Sequence, residues 1–250
     1  MIVLKKTSEI AMMRESGRVV ARALRIMSEA IVPGKTTPRD LDELGGRIVA
    51  EAGGACSFLN YRGFPANACI SPNNVVVHGI PNDVPLLDGD IISLDMGVLL
   101  NGWHADGAWT YPVGTISVEA QRLLNVSRES LYQGIGKARA GNRIGDIAHA
   151  VQRYVEGNGY SVVRDLVGHG IGRQLHEEPR SVPNFGRAGK GELLREGMTI
   201  CIEPMVNQGT HKVITLPDKW TLVTADKKLS AHFEHTIAIT KGGPEILTQE

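Results

Sequence analysis

Residues 91–111 read IISLDMGVLLNGWHADGAWTY, two largely apolar runs on either side of the pair Asn101-Gly102. Asn-Gly is the strongest short signal for a β-hairpin, because both central residues of a type I′ turn need a positive φ. The stretch therefore predicts two antiparallel strands joined by a two-residue loop. A three-residue loop would turn every side chain of the second strand to the opposite face.

This register decides where the two aspartates of the hairpin lie. With Gly97 opposite Asp106, Asp95 becomes a diagonal neighbour of Asp106 on the same face, with the backbones about 7–8 Å apart. Buried carboxylates without partners would destabilise the sheet or remain protonated. A shared cation would remove that cost, and so would hydrogen bonds to loops at the strand ends. The hairpin alone leaves both alternatives open.

Composition excludes several classes of protein. The chain has 250 residues with 27 basic and 27 acidic side chains, so no overall field favours nucleic acid or an anionic membrane. No apolar run approaches the ~18 residues that span a bilayer, and charged residues stand where a signal peptide needs apolar ones. Three widely spaced cysteines without a CxxC pair fit a reducing cytoplasm. We expect a cytoplasmic protein that binds neither nucleic acid nor membrane.

Helix signals occur in two pairs. An apolar stripe at alternating spacings of three and four follows Thr7, the expected N-cap of a first helix, and a second helix is expected to begin with Thr37 as its cap. The same order returns later, with helices expected near Ser117 and around Asp146. Each second helix ends in a glycine-rich stop.

The doubled order predicts an α+β chain with internal pseudo-twofold symmetry. We expect one domain over residues 1–250, with halves of about 1–113 and 114–250. The second half is expected to contain strands at 160–167, 198–203 and 232–239, a glycine-rich turn at 168–172, and loops at 180–191 and 207–219.

Three further side chains join the two aspartates as candidate metal ligands. Glu203 ends an apolar strand, Glu234 lies within another, and His169 stands between two glycines. Each of the three has an ordinary structural interpretation when it is considered alone. Together, four clustered carboxylates would repel one another unless cations were present, and two divalent ions balance their charge. Such a site suits Mn, Fe(II) or Mg better than structural zinc.

The order and spacing of these residues resemble the metal set of the methionine aminopeptidases, within the wider pita-bread peptidases. Five motifs strengthen the resemblance, which covers essentially the whole chain: CISPNNVVVHGIP at 69–81, SLDMG at 93–97, GHGIGRQLHEEP at 168–179, IEPM at 202–205 and SAHFEHT at 230–236. It implies the short bacterial type I form. It also implies an α+β pita-bread fold, with antiparallel sheets covered by helix pairs.

The resemblance implies an enzyme that removes the N-terminal methionine from nascent polypeptides and prefers a small second residue. Two divalent ions, Fe(II), Mn, Co or Zn, would hold an attacking water between them. Asp95 would bind one ion, and His169 with Glu203 the other. Asp106 and Glu234 would bridge the two ions.

The resemblance also assigns roles around the ions. Glu203 would act as the acid and base for the attacking water, His78 would contact the scissile amide nitrogen, and His176 would stabilise the oxyanion. The methionine pocket would be walled by Tyr61, Phe64, Cys69 and Trp220. Some members bind a monovalent cation in a loop, and the resemblance implies that Asn73, Val75 and Ser230 would form that loop here. The chain departs from the family at Leu175 and His232, and Phe58 occupies a variable position of the pocket.

The other histidines and cysteines are expected to be structural. Strand alternation turns His235 away from the metals. His104 shares the face of Asp106 but lies nearer the turn, where it is expected to support a ligand and not to bind metal itself. His149 and His211 fall on a helix and in a loop. Cys56 and Cys201 are expected to be core thiols.

Two rival functions use the same residues. An X-Pro aminopeptidase or dipeptidase would keep all five ligands, but such enzymes usually carry an additional N-terminal domain. A non-catalytic module that binds peptides or RNA typically loses ligands. For the enzyme, the implied partners are nascent chains near the ribosome, and we expect a monomer. We expect activity to fall below about pH 6, near the ordinary pKa of histidine, because the ligand histidine must be neutral.

Overall fold

The computed structural model describes residues 1–250. Four helices are present, α1 Thr7–Glu29, α2 Pro38–Glu51, α3 Val118–Ile135 and α4 Ile144–Gly157. None of them combines the length and the apolar character that crossing a membrane requires. Thr37 caps α2, as predicted, and Ser117, near which the third helix was expected to begin, caps α3. The cap of α1 is Lys6 and not Thr7, because the Glu9 carboxylate accepts the Lys6 backbone N–H at 2.8 Å.

Fifteen strands, all paired antiparallel, form three sheets. The strands are β1 Ala55–Cys56, β2 Cys69–Pro72, β3 Val75–Val77, β4 Ile91–Leu100, β5 Trp103–Pro112, β6 Ser161–Val162, β7 Val167–Gly170, β8 Glu177–Pro183, β9 Thr199–Ile202, β10 Met205–Asn207, β11 Val213–Thr215, β12 Leu222–Thr224, β13 Ser230–His232, β14 Glu234–Thr240 and β15 Gly243–Ile246. The largest sheet has the order β1-β4-β5-β14-β9-β7-β8, with β2 added beside β4 and β15 beside β14. The order β13-β10-β6 forms a second sheet, and β11-β12-β3 a third.

The hairpin β4-β5 has the predicted register. Asn101 and Gly102 form its loop with φ values of 52° and 77°, as a type I′ turn requires. Gly97 pairs with Asp106, and Asp95 pairs with Ala108. Both aspartates therefore lie on one face of the sheet.

Each helix pair covers one part of the large sheet. Apolar residues of α1 and α2 pack on the β4-β5 hairpin in one buried cluster, which includes Met27, Leu41 and Leu94. Apolar residues of α3 and α4 pack in the same way on β9 and β14. Antiparallel sheets covered by helix pairs confirm the expected α+β fold. The division into pseudo-symmetric halves at residue 113 stays a prediction.

Several predicted boundaries of the second half are wrong. The strand expected at 160–167 is reduced to Ser161–Val162, and the expected turn at 168–172 begins as strand β7. The expected loop at 180–191 contains the end of β8, and the expected loop at 207–219 contains the end of β10 and all of β11. The sequence of β8, EEPRSVP, does not look like a strand because it has the prolines and charges that are typical of a sheet edge. The strands within 207–219 are too short to show a clear alternation.

Candidate metal centre

The large sheet brings the predicted ligands to one cavity of about 320 Å³. Ala108 lies between Asp95 and Glu234, because it pairs with Asp95 across β4-β5 and with Glu234 across β5-β14. Directly paired residues share a face, so these carboxylates form a row across three strands, with Asp106 beside it. The cavity wall contains every predicted metal, catalytic and pocket residue: Tyr61, Phe64, Cys69, His78, Asp95, Asp106, His169, His176, Glu203, Trp220 and Glu234.

Two glycines position His169 in the middle of β7. A Cβ at Gly168 would collide with the backbone oxygen of Cys201, and a Cβ at Gly170 would lie 2.5 Å from the Glu178 oxygen. The glycines therefore let β7 approach its neighbouring strands closely, which explains why this segment is a strand and not a turn.

The spacing of the donor atoms fits a shared ion. His169 Nε2 lies 3.9 Å from Asp106 Oδ2 and 3.8 Å from Glu203 Oε1, which is too long for hydrogen bonds. Two ligand atoms at about 2.0–2.2 Å from one ion lie no more than about 4.4 Å apart, so both pairs are close enough to share an ion. His169 Nδ1 lies 2.9 Å from the Gly170 oxygen and donates to it, so Nε2 presents its lone pair to the cavity.

The carboxylates lack the partners that buried charges need. One oxygen of each of three groups is buried without a hydrogen bond: Asp95 Oδ1, Asp106 Oδ1 and Glu234 Oε1. Unpaired buried carboxylate oxygens are costly unless a cation binds them. The residues present therefore fit divalent metal ions, which Asp95, Asp106, His169, Glu203 and Glu234 would hold.

Burial shifts the pKa of every ligand toward its neutral form. Burial, followed by repulsion from neighbouring carboxylates, raises the pKa of Asp95, Glu203 and Glu234 well above the ordinary range. Burial raises the pKa of Asp106 to about 7 and lowers that of His169 to about 4. The assumption that His169 has an ordinary pKa is therefore wrong. As the pH falls, the carboxylates become protonated before His169 does, and their protonation determines the pH below which metal binding weakens.

One side of the cavity is aromatic. Phe64 and Trp220 meet edge to face with ring centroids 5.2 Å apart, and the His78 ring lies 6.4 Å from that of Trp220. Phe58 and Leu175 also line the cavity. Cys69 is buried, and burial raises the pKa of its thiol, so it presents a neutral sulfur.

His232 has a place in the site that the sequence interpretation missed. It is 2% exposed, and its Nε2 has no hydrogen-bond partner although it lies 3.8 Å from Glu234 Oε2. Strand alternation puts residue 232 on the same face as residue 234, a signal that could have identified it. Arg62 and Arg180 also line the cavity without having been predicted.

Cys201 lies closer to the ligands than a core thiol was expected to lie. Its Sγ falls within 4.8 Å of ligand atoms of Asp106, His169 and Glu234. Burial raises the pKa of this thiol well above its ordinary value, so it stays protonated.

The remaining predicted positions lie outside the cavity. Asn73 accepts the Ser230 backbone N–H at 2.9 Å, while Val75 pairs with Val223 in β3-β12. These contacts bring two members of the expected cation loop together, and the cation itself stays a prediction. His104 Nδ1 binds the Ser57 hydroxyl at 2.9 Å, and His235 Nδ1 binds that of Thr248 at 2.8 Å.

Replacing Gly168 by alanine is expected to destabilise the fold by about 1–3 kcal/mol, because the added methyl meets a backbone oxygen that has no room to move. Gly157→Ala at the end of α4 is the control, since nothing lies near its Cβ and alanine favours the helix. Urea unfolding of the metal-free protein measures both changes. Equal stability of G168A and G157A would contradict the close packing of β7 on β9.

Comparison with known proteins agrees with this geometry. The profile of metallopeptidase family M24 matches residues 11–241. A methionine aminopeptidase of Clostridium perfringens is 52% identical over 248 residues, which cover 99% of each chain. The crystal structure of methionine aminopeptidase from Rickettsia prowazekii superposes with a TM-score of 0.97 at 42% identity, covering 99% of this chain and 100% of that one.

A more distant structure shows that the fold alone does not identify the substrate. The prolidase of Pyrococcus furiosus has a TM-score of 0.79 at 20% identity, and the match covers 99% of this chain but 66% of the prolidase. It shares the fold alone. By profile and by full-length identity, the chain belongs to metallopeptidase family M24 and, within it, to the methionine aminopeptidases.

Proposed function

We propose that the protein removes the N-terminal methionine from nascent polypeptides, preferring a small second residue, with two divalent ions in the cavity. The observation that carries the proposal is the convergence of Asp95, Asp106, His169, Glu203 and Glu234 on one cavity, with three orphaned carboxylate oxygens. Four carboxylates balance the charge of two divalent ions. The relative from Clostridium perfringens has the matching name.

Ions bound there would lower the pKa of a shared water and polarise the substrate carbonyl. Glu203, on the cavity wall, holds the proton that leaves the attacking water and returns it to the departing amine. His78 contacts the scissile amide nitrogen. His176 donates to the carbonyl oxygen, whose negative charge grows as the tetrahedral oxyanion forms.

The aromatic wall supports a methionine side chain. Phe64 and Trp220, which meet edge to face, offer ring edges and faces to the cavity, and sulfur–aromatic contacts favour a thioether. The neutral, buried sulfur of Cys69 adds a soft apolar surface. The cavity thus suits a flexible apolar side chain beside the residues that would hold the ions.

The rival functions have weaker support. The similarity to the prolidase of Pyrococcus furiosus, at 20% identity, supports a shared fold only. The 52% identity to a methionine aminopeptidase over the full chain favours methionine release over X-Pro cleavage. A non-catalytic module would have no need of five converging ligands. We further propose that the enzyme works as a monomer in the cytoplasm, on nascent chains near the ribosome.

The activity test uses metal-loaded protein and short peptides. With Mn or Fe(II), free methionine is expected from Met-Ala and Met-Gly peptides, and no cleavage of Ala-Pro peptides. Cleavage of the Ala-Pro peptides would favour the X-Pro rival. Tight metal binding without release of any amino acid would favour a binding module.

Metal affinity is expected to fall steeply in acid. Because burial raises the pKa of Asp106 to about 7, a proton competes with each ion below that value. Release of at least one proton from the ligand set on metal binding predicts a fall of at least about tenfold for each pH unit below about 7. Calorimetric Mn titrations in buffers of different ionisation enthalpy measure both affinity and proton release. Constant affinity from about pH 5.5 to 7.5 would contradict the raised pKa values.

A further inference from the structure

Tyr61 holds His176 by two contacts. The Tyr61 hydroxyl lies 2.8 Å from His176 Nδ1, and the two rings stack with centroids 5.3 Å apart and planes inclined by 21°. Both side chains line the cavity. A residue that only walled a methionine pocket would have no need of a hydrogen bond to this histidine.

The hydrogen bond decides where the imidazole carries its proton. A neutral imidazole has one N–H, which stands on either Nδ1 or Nε2. The partner of one ring nitrogen fixes the protonation of the other. If Tyr61 donates to Nδ1, the proton stays on Nε2. If Nδ1–H donates to the tyrosine oxygen, Nε2 is a bare acceptor and repels an oxyanion.

The surroundings of Tyr61 favour donation by the hydroxyl. The Arg62 guanidinium lies 5.3 Å from the centroid of the Tyr61 ring. A phenol that donates a hydrogen bond leaves partial negative charge on its ring and oxygen, and a guanidinium over the ring stabilises that charge. Arg62 also lines the cavity.

The backbone around Tyr61 is held in an uncommon conformation. Asn60 and Arg62 have φ values of 63° and 51°, in the left-handed region that residues other than glycine rarely adopt. The turn is closed by hydrogen bonds from Asn60 N to Phe64 O at 2.8 Å and from Tyr61 N to Phe58 O at 2.9 Å. Strained backbone of this kind persists where the surroundings over-determine it, often beside functional groups. Here it fixes the tyrosine over His176.

We propose that Tyr61 is a positioning residue: its hydroxyl donates to His176 Nδ1 and keeps the ring proton on Nε2, toward the scissile carbonyl. The proposal rests on the proposed aminopeptidase function for the role of His176. The tautomer itself is a property of the metal-free chain, and it is measured without activity.

The test is Tyr61→Phe, which keeps the stacked ring and removes the hydroxyl. Long-range ¹H–¹⁵N spectra of the metal-free protein, with His176 assigned from H176Q, are expected to show an unprotonated Nδ1 in the wild type and a mixture of tautomers in Y61F. In the Mn enzyme, kcat is expected to fall about threefold to tenfold while KM changes less than about twofold. The matched control is Phe64→Leu, which is expected to raise KM and leave the His176 signals unchanged.

A wild-type spectrum with protonated Nδ1 would overturn the proposal. So would a Y61F variant whose tautomer or kcat equals that of the wild type. Failure of the proposed function has a different signature, since the wild type itself would then release no methionine from any peptide while its spectrum still reported the tautomer.

Discussion

Asp106→Asn is expected to abolish methionine release, by about 1,000-fold or more, because the variant loses a charged ligand that lies between the other carboxylates and His169. Asparagine has the same shape and removes only the charge. Mn affinity is expected to fall in parallel. Calorimetry and the rate of methionine release from Met-Ala peptides measure the two losses.

The metal-free form of D106N provides a control for folding. The pKa of Asp106 in the folded chain, about 7, lies above its ordinary value of 3.8, so the folded state holds this proton more tightly than the unfolded state does. The contribution of Asp106 to stability therefore falls as pH rises through this window, and the loss is complete above about pH 7. Above that pH, metal-free D106N is expected to be more stable than the metal-free wild type. Wild-type activity in D106N would contradict the assigned ligand.

His176→Ala is expected to lower kcat by about 100-fold to 1,000-fold, the cost of removing one donor to an oxyanion. Both ions are expected to bind normally, because His176 contributes no atom to the ligand set. Steady-state kinetics beside Mn calorimetry separate these effects.

Trp220→Leu is the matched control for H176A. Trp220 lies on the same cavity wall, but its ring faces Phe64 and His78. Its replacement is expected to raise KM more than it lowers kcat. A loss of Mn binding in H176A would place this histidine among the ligands and overturn its role toward the substrate.

Local sequence signals were sufficient where one element determined its own geometry. Asn101-Gly102 gave the type I′ turn, the register of β4-β5 and the common face of Asp95 and Asp106. The cap at Thr37 and the apolar stripe of α1 gave helices at the expected places. In these segments, side-chain periodicity and turn chemistry act over a few neighbouring residues.

The errors arose where distant segments decide the structure. Gly168 and Gly170 resemble a turn until strands β8 and β9 pack against them. The low pKa of His169 comes from burial by several strands. The contact of Tyr61 with His176 spans 115 positions of the chain, and no local pattern contains it.

The most direct test of the two-ion site is anomalous diffraction from a crystal soaked in Mn²⁺. The expected map has two peaks about 3.5–4 Å apart, with Asp106 and Glu234 between them, Asp95 beside one, and His169 with Glu203 beside the other. A single peak, or an Asp106 carboxylate turned away from both ions, would contradict the dinuclear centre.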